Sequence, residues 1–132
     1  MVNSRTRRAD VARSQDQDVN LGKLTQLLQR AGPELGAELL ARLVEDLQAV
    51  LTGLSDAARE LDGAQFRVHS HVLIALSGTI GDVQLQTLAE SMNRSGRSDS
   101  AEHLQDHLVK ATPLLKSLIV KVQAMQAPGA QP

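Results

Sequence analysis

One histidine of this sequence, His71, lies in the middle of a predicted helical segment that has small residues one turn later and a glycine at its end. In a helix, the neighbours three, four and seven residues after His71 lie along one stripe, and they are Ile74, Ala75 and Gly78. None of them is charged and two are small, so they leave the imidazole accessible. Imidazoles have a usual pKa of about 6.5 and are largely unprotonated nucleophiles at pH 7. The local sequence therefore predicts one accessible histidine on a rigid helix.

The other three histidines suit such chemistry less well. His69 lies two residues before His71 and so on nearly the opposite side of a helix, which makes a shared metal ion difficult. We expect His69 at the interior or the boundary of a helical core. His103 and His107 are four residues apart and share a helix face, a spacing that can bind zinc, but a zinc site requires three or four ligands. We favour an exposed polar helix face there and predict no metal site.

The residues around His71 resemble a known motif. His71, Leu73, Gly81 and Leu85 have the spacing of the histidine-phosphotransfer (HPt) domains of two-component phosphorelays. The motif there reads roughly Ala-His-x-Leu-Lys-Gly, then five residues, a glycine and, four residues later, a leucine. This chain reads Ser-His-Val-Leu-Ile-Ala from position 70, so serine replaces alanine, isoleucine replaces lysine and alanine replaces glycine. If the motif is placed on His69 instead, the leucine and the glycine no longer match.

Two of these departures alter the surface that a partner protein would meet. Ile74 carries no charge where the family has lysine, which predicts a less stabilised phosphohistidine and weaker electrostatic steering. Arg67, one turn before the histidine, could substitute in part. Ala75 adds one methyl group where glycine leaves room, and we expect this to be tolerated with some loss of rate. Val68, Val72 and Ile74 predict an apolar docking patch around the histidine.

The resemblance implies a role in phosphorelay signal transduction. His71 would accept a phosphoryl group from a receiver-domain aspartate and pass it to another receiver. The implied partners are response-regulator receiver domains and a hybrid sensor histidine kinase. No intrinsic cofactor is implied, because Mg²⁺ is supplied in the receiver domain. The sequence has no P-loop or other nucleotide motif, so we expect a phosphate carrier without an ATP site and not a self-sufficient enzyme.

Two other interpretations of the same segment stay open. The chain could be a degenerate HPt-like bundle that binds a receiver or kinase without phosphotransfer, an interpretation motivated by the missing lysine and glycine. It could also be a dimerising helical bundle in which Val68 and Ile74 form a subunit interface. Without the motif, His71 would be better interpreted as an ordinary surface histidine. Four matched positions in a helical context favour phosphotransfer, and we expect a monomer.

Composition limits the class of protein. The 132 residues suffice for one domain, and Phe66 is the only aromatic residue, so the core has to be aliphatic. Lys and Arg number 14 against 15 Asp and Glu, a balance that argues against nucleic-acid binding. No apolar run approaches the roughly 20 residues of a membrane span, and no secretory signal is recognisable. Together with the absence of cysteine, this predicts a cytoplasmic protein.

Apolar residues recur at helical spacing through most of the chain. The periodicity predicts a short helix over residues 20–30 and four longer amphipathic helices, hence an all-α fold: an antiparallel up-down four-helix bundle with a short extra N-terminal helix. The bundle is predicted to cover residues 19–126, between a flexible arm (1–18) and a disordered tail (127–132). The predicted core positions are Leu21, Leu24, Leu27, Leu28, Leu35, Leu39, Leu43, Leu47, Val50, Leu54, Leu61, Phe66, Leu73, Leu76, Ile80, Leu85, Leu88, Ala89, Met92, Leu104, Leu108, Ala111, Leu115, Leu118, Ile119 and Val122.

The boundaries of the histidine helix are predicted from local residues. Asp62 can accept hydrogen bonds from the free amides at its start, with Gln65 at the capping-box position. Gly81 is expected to end the helix, and Asp82 to cap the helix that follows.

Other breaks are predicted farther along the chain. Residues 93–98 (NRSGRS) predict a turn, and Asp99 with Glu102 repeats the capping pattern. Pro113 is expected to kink the last helix or to divide it in two. Gly53 interrupts an otherwise good helix and indicates a bend or a close contact.

Overall fold

The computed structural model describes residues 21–95 and 101–130, and this part of the chain contains five α-helices and no strand. They are α1 (Gly22–Ala31), α2 (Pro33–Arg59), α3 (Gly63–Ile80), α4 (Val83–Ser95) and α5 (Ala101–Ala130). The prediction of an all-α fold is confirmed. None of the helices in these ranges is long and apolar enough to cross a membrane. The predicted flexible arm (1–18) lies outside the described residues.

The helices pack around one aliphatic core. α2 contacts α1, α3 and α5, α4 contacts α3 and α5, and α1 also contacts α3. Phe66 is completely buried together with aliphatic residues of the other helices, such as Leu47, Leu85 and Leu115. Burial of these side chains removes apolar area from water, which is the main stabilising contribution to such a core. Seven predicted core residues are only half-buried: Leu21, Leu27, Leu28, Leu39, Leu76, Leu88 and Leu108.

The turn between α2 and α3 shows why α2 stops before Leu61. This residue has a φ of 57°, a left-handed conformation with which an α-helix cannot continue, and its side chain is 60% exposed. The prediction of Leu61 as a core position is therefore wrong. The amide of Asp62 donates to the carbonyl of Ala57 over 2.8 Å. The Asp62 carboxylate accepts from the amide of Gln65 over 3.0 Å, which confirms the predicted N-cap of α3.

The turn between α3 and α4 is built in a similar way, with glycine at the left-handed position. Gly81 has a φ of 97° and ends α3 as predicted. The amides of Gly81 and Asp82 both donate to the carbonyl of Ser77. The Asp82 carboxylate accepts from the amide of Leu85 over 3.0 Å, which confirms the predicted N-cap of α4. Asp82 thus ends one helix through its amide and begins the next through its side chain, which keeps the turn short.

The buried stripe of α2 differs from the prediction near the start of the helix. Leu35 was expected in the core, but its side chain is 58% exposed, and Leu39 is half-buried. Gly36 and Leu40 are buried instead, because α1 covers this end of α2 and Leu28 lies against Gly36. The stripe is thereby shifted by one residue. The core positions predicted farther along α2 are buried as expected: Leu43, Leu47, Val50 and Leu54.

α4 and α5 extend farther than predicted. Residues 93–95 of the predicted turn are helical, while residues 96–98 and Asp99 lie outside the described part. α5 runs through Pro113 without interruption, so the alternative of two separate helices is wrong; a proline removes a single backbone hydrogen bond, and core residues are buried on both sides of it. Residues 127–130 of the predicted disordered tail continue α5, because extending an existing helix costs far less than starting one.

Candidate functional site

α3 has a packed side built on every third or fourth residue. Phe66, Ser70, Leu73, Ser77 and Ile80 are all completely buried, which is helical spacing. The serine hydroxyls donate to carbonyls one turn earlier, Ser70 to Phe66 over 2.7 Å and Ser77 to Leu73 over 2.6 Å, so both buried hydroxyls are satisfied. Sequence analysis missed the two serines as core positions, because serine is polar and is not expected in a core. Within a helix, however, its hydroxyl can donate to a carbonyl one turn earlier.

The opposite side of α3 is open, and His71 lies on it. His71, Arg67 and Ala75 are exposed, which confirms the predicted accessibility of the imidazole. Val68 and Val72 are 51% and 40% exposed, so apolar surface flanks the histidine in sequence on both sides. Exposed valines beside a histidine on a packed helix form a surface suited to a transient protein contact.

The stripe of residues that follows His71 along the helix is exposed at Ala75 and partly covered by α1 farther on. Ile74 and Gly78 are half-buried, since α1 contacts α3 at this end. The ammonium group of Lys23, in the first turn of α1, donates to the carbonyl of Gly78 over 2.7 Å. Ile74 also packs against the core. Of the predicted apolar docking patch, only the two valines are therefore well exposed.

The hydrogen bond from Lys23 satisfies a requirement of α3 itself. The last carbonyls of an α-helix have no partner within the helix and carry partial negative charge, and the carbonyl of Gly78 is one of them. α3 has no basic residue in its own last turn, so a cation from another helix occupies this position. Sequence analysis missed Lys23. The uncapped last turn was a recognisable signal, but the sequence does not say which cation reaches it.

An open groove of about 660 Å³ lies between α1, α3 and α4. Its lining includes Ile74, Ala75 and Gly78, one and two turns after His71, and two cations of α1, Lys23 and Arg30. We call it the α1–α3 groove. None of the described residues that line it is acidic. The remaining lining residues are Gln26, Leu27, Thr79 and Gln86.

His69 is half-buried and contacts α2. Its imidazole lies against Gly53 so closely that a β-carbon at Gly53 would overlap the ring. The predicted boundary position of His69 and the predicted close contact at Gly53 are thereby confirmed as one and the same contact. His69 is thus a packing residue of the α2–α3 contact.

The two histidines of α5 differ in exposure. His103 is exposed and His107 is half-buried. Burial lowers the pKa of His107 from its usual value; the positive charge of Lys110 and, to a smaller extent, His103 lower it too, while Asp106 opposes them. Within the described ranges, no group of three or more His, Asp or Glu residues is placed so that it could hold a metal ion.

Burial also affects the cap between α3 and α4. Desolvation raises the pKa of the Asp82 carboxyl above its usual value, while the hydrogen bond from the Leu85 amide and the positive charge of Lys121 lower it in part. Because desolvation is the largest of these effects, the ionised cap is less favourable in the folded chain than a carboxylate in water.

Comparison of the chain with family models, curated proteins and solved structures found no match. The interpretation of the site therefore depends on its geometry. α3 places an exposed imidazole beside exposed valines and one turn from a groove that is lined by two cations. Such an arrangement can present a nucleophilic ring nitrogen to a reactive group that another molecule delivers.

Proposed function

We propose that this chain is a histidine phosphocarrier of the HPt type, which accepts a phosphoryl group on His71 from a receiver-domain aspartate and passes it to another receiver. The observation that supports this function most directly is the exposed His71 on a helix whose opposite side is completely buried. Such a helix fixes the backbone that carries the nucleophile without shielding the side chain from a partner.

The other positions of the motif have structural roles that agree with the proposal. Leu73 and Leu85 are completely buried and join α3 and α4 to the core. Gly81 has the positive φ of 97° that residues with a β-carbon rarely adopt. In this proposal the motif combines one reactive residue, His71, with three residues that hold its helix in place.

The transfer step uses one ring nitrogen of His71, with the ring proton on the other. The lone pair of the free nitrogen attacks the phosphorus of the aspartyl phosphate and forms a P–N bond. The P–O bond to the aspartate breaks, and its electron pair returns to the carboxylate. A second receiver reverses these steps. Phosphoryl transfer depends mainly on positioning and electrostatic stabilisation, and in this proposal the receiver supplies Mg²⁺ and the groups that stabilise the transferred phosphate.

We also propose that α2, α3, α4 and α5 form an antiparallel up-down four-helix bundle, with α1 as the extra helix. The supporting contacts are those of α2 with α3 and α5 and of α4 with α3 and α5, which form a closed ring of neighbours. The short turns at residues 60–62 and 81–82 favour antiparallel neighbours. In this arrangement the packed side of α3 faces the other three helices, and its open side is left for a partner.

The proposed partners are response-regulator receiver domains and a hybrid sensor histidine kinase, and we propose that the chain meets them as a monomer in the cytoplasm. Among the residues around His71, Val68 and Val72 have the most exposed apolar side chains. The full set of proposed contact residues is Arg67, Val68, Val72, Ile74, Ala75 and Gly78.

A receiver domain charged on its aspartate, mixed with this protein and Mg²⁺, tests the proposal. We expect an acid-labile, base-stable phosphate on the wild type and on His69→Gln, and none on His71→Gln. The His71→Gln variant is expected to keep its fold, because the side chain is exposed. Label that persists on His71→Gln would exclude His71 as the acceptor, and no label from any of a panel of receivers would contradict the carrier function.

One observation favours a second candidate function, an adaptor that binds a receiver or kinase without phosphotransfer. Ile74 occupies the place of the family's lysine and is half-buried, so α3 offers no cation one turn after His71. An adaptor would bind a receiver equally well as the wild type and as His71→Gln, and neither protein would be labelled.

A further inference from the structure

The charged residues of α1 and α3 are distributed unlike those of the rest of the chain. α1 carries Lys23 and Arg30, α3 carries Arg67, and neither helix contains an acidic residue. All 15 Asp and Glu residues of the chain lie elsewhere, and the net charge is −1. The two helices on either side of the α1–α3 groove are therefore a positive region of a weakly negative molecule.

Lys23 is held at a defined position in this groove. Its hydrogen bond to the carbonyl of Gly78, over 2.7 Å, uses one of the three donors of the ammonium group and leaves two for an acceptor on another molecule. The bond is exposed to solvent, so a partner can reach it. A lysine already held by the main chain of α3 loses less side-chain entropy on binding than an unrestrained lysine.

The groove lies within reach of any protein that docks on His71. Ala75 and Gly78 follow His71 by four and seven residues, which corresponds to about 6 and 10 Å along a helix axis. A standard protein–protein contact covers about 800 Å² on each partner, equivalent to a circle of about 16 Å radius. A contact of this size centred on His71 extends far enough along α3 to include Ala75 and Gly78 of the groove.

We propose that the α1–α3 groove is a second contact site for the receiver, in which Lys23 and Arg30 bind carboxylates on the receiver surface beside its phosphorylated aspartate. This inference rests on the proposed phosphocarrier function and adds the chemistry of the partner, an acidic surface segment. It also gives α1 the role of supplying positive charge where Ile74 supplies none. The cations come from a neighbouring helix and line the same groove as Ile74.

The charges of the groove favour an acidic protein segment over a nucleic acid. Tight binding of a nucleic acid requires many phosphate contacts from a series of cations, whereas Lys23 and Arg30 match a short acidic segment. The neutral lining residues Gln26 and Gln86 add hydrogen-bonding groups without opposing charge. An acidic segment therefore meets attraction from two cations and repulsion from no described lining residue.

The test compares two double variants that remove the same amount of charge. Lys23→Gln/Arg30→Gln changes the groove, and Lys110→Gln/Lys116→Gln removes two exposed cations from α5, a helix that is not part of the groove lining. Each protein is mixed with receiver domains phosphorylated by acetyl phosphate in the presence of Mg²⁺, and both receiver binding and phosphotransfer are followed over a range of salt concentrations.

We expect the groove variant to need about 10-fold more receiver for half-maximal transfer at low salt, with the difference shrinking as salt screens the charges. The α5 variant should stay within about twofold of the wild type, as expected for charges outside the contact. The variant Lys23→Arg/Arg30→Lys keeps both charges, so the receiver concentration that it needs for half-maximal transfer should be close to that of the wild type. Thermal unfolding of every variant separates a loss of binding from a loss of the cap at Gly78.

Equal effects of the two double variants, or a loss that does not depend on salt, would overturn the groove proposal and leave Lys23 as a cap of α3 alone. The failure of the phosphocarrier function has a different signature. A wild type that binds a receiver but takes no phosphate contradicts the carrier function, while the binding data still decide the role of the groove. A wild type that binds no receiver overturns both proposals.

Discussion

The two sides of α3 place neighbouring histidines under opposite constraints. On the packed side Phe66 is completely buried, and the half-buried His69 is fitted against Gly53, so the shape of each side chain is set by what surrounds it. On the open side His71 and Ala75 are exposed, and packing hardly restricts which residue stands there. Two residues of a helix separate the histidines and turn the side chain by about 200°. One helix can therefore use one histidine for packing and offer the other for chemistry.

The largest contrast is expected between Phe66→Ala and His71→Ala. Truncating a fully buried phenylalanine removes apolar contacts and leaves a cavity, which lowers the free energy of unfolding by about 3–5 kcal/mol. Truncating the exposed His71 should change it by no more than about 0.5 kcal/mol. Urea denaturation followed by far-UV circular dichroism measures both. Equal losses of stability would show that the two sides of α3 are not packed as differently as their burial indicates.

The contact between His69 and Gly53 can be tested with a double-mutant cycle. A β-carbon at Gly53 overlaps the His69 ring, so we expect Gly53→Ala to lower the free energy of unfolding by about 1–3 kcal/mol. In a His69→Ala background the same change should raise it by about 1 kcal/mol, the usual helix preference for alanine over glycine. Additive effects, in denaturant titrations of all four proteins, would mean that the ring does not fill the space above Gly53.

Gly78, at the partly covered edge of the open side, should respond to the same substitution in the opposite direction. A β-carbon there comes to 3.2 Å from Nε2 of Gln86, the end of a flexible side chain that can move. We expect Gly78→Ala to raise the free energy of unfolding by about 0.5–1 kcal/mol, while the added methyl in the groove lowers the rate of phosphotransfer.

Gly36→Ala is the matched control for Gly78→Ala. Its β-carbon would make only ordinary contacts, at 3.5 Å or more from Leu28, and Gly36 is not a lining residue of the α1–α3 groove. This variant should gain similar stability and keep the wild-type transfer rate. A fall in transfer for both glycine variants would indicate that helix stiffness, and not the groove, is responsible.

The smallest effect is expected at Asp82, where the packed side of α3 ends. The pKa of this carboxyl is raised above 3.8 in the folded chain, chiefly by desolvation. A raised folded pKa stabilises the fold fully below the unfolded pKa, and that contribution is lost as the pH rises through the folded value. Asn caps a helix about as well as Asp and does not titrate, so Asp82→Asn should gain stability relative to the wild type as the pH rises above about 4.

Thermal unfolding at pH 3 to 7 measures this difference, with Asp82→Ala as a non-titrating control whose free energy of unfolding should lie about 1 kcal/mol below that of Asp82→Asn at every pH. If the stability of the wild type instead rises relative to that of Asp82→Asn as the pH rises, the hydrogen bond from Leu85 and the charge of Lys121 outweigh desolvation.

Much of the core was predictable because helical spacing leaves an amphipathic helix only one side to bury. The errors occurred where that rule does not apply. Leu35 is exposed because α1 covers a neighbouring part of α2, and Leu61 is exposed because α2 ends in a left-handed residue. Ser70 and Ser77 are buried although they are polar, because carbonyls of the same helix accept hydrogen bonds from their hydroxyls. Periodicity identifies the apolar side of a helix, but neither the neighbour that covers it nor the residue at which it stops.

Local sequence accounts for the position of His71 on an open side of α3 and for the helix ends at Asp62 and Gly81, because each depends on residues within one or two turns. The contact of Lys23 with Gly78, 55 residues away, and with it the cations of the α1–α3 groove, follows only from the way the helices pack. Contacts between residues this far apart depend on the angles and distances at which helices pack, and helical periodicity carries no information about either.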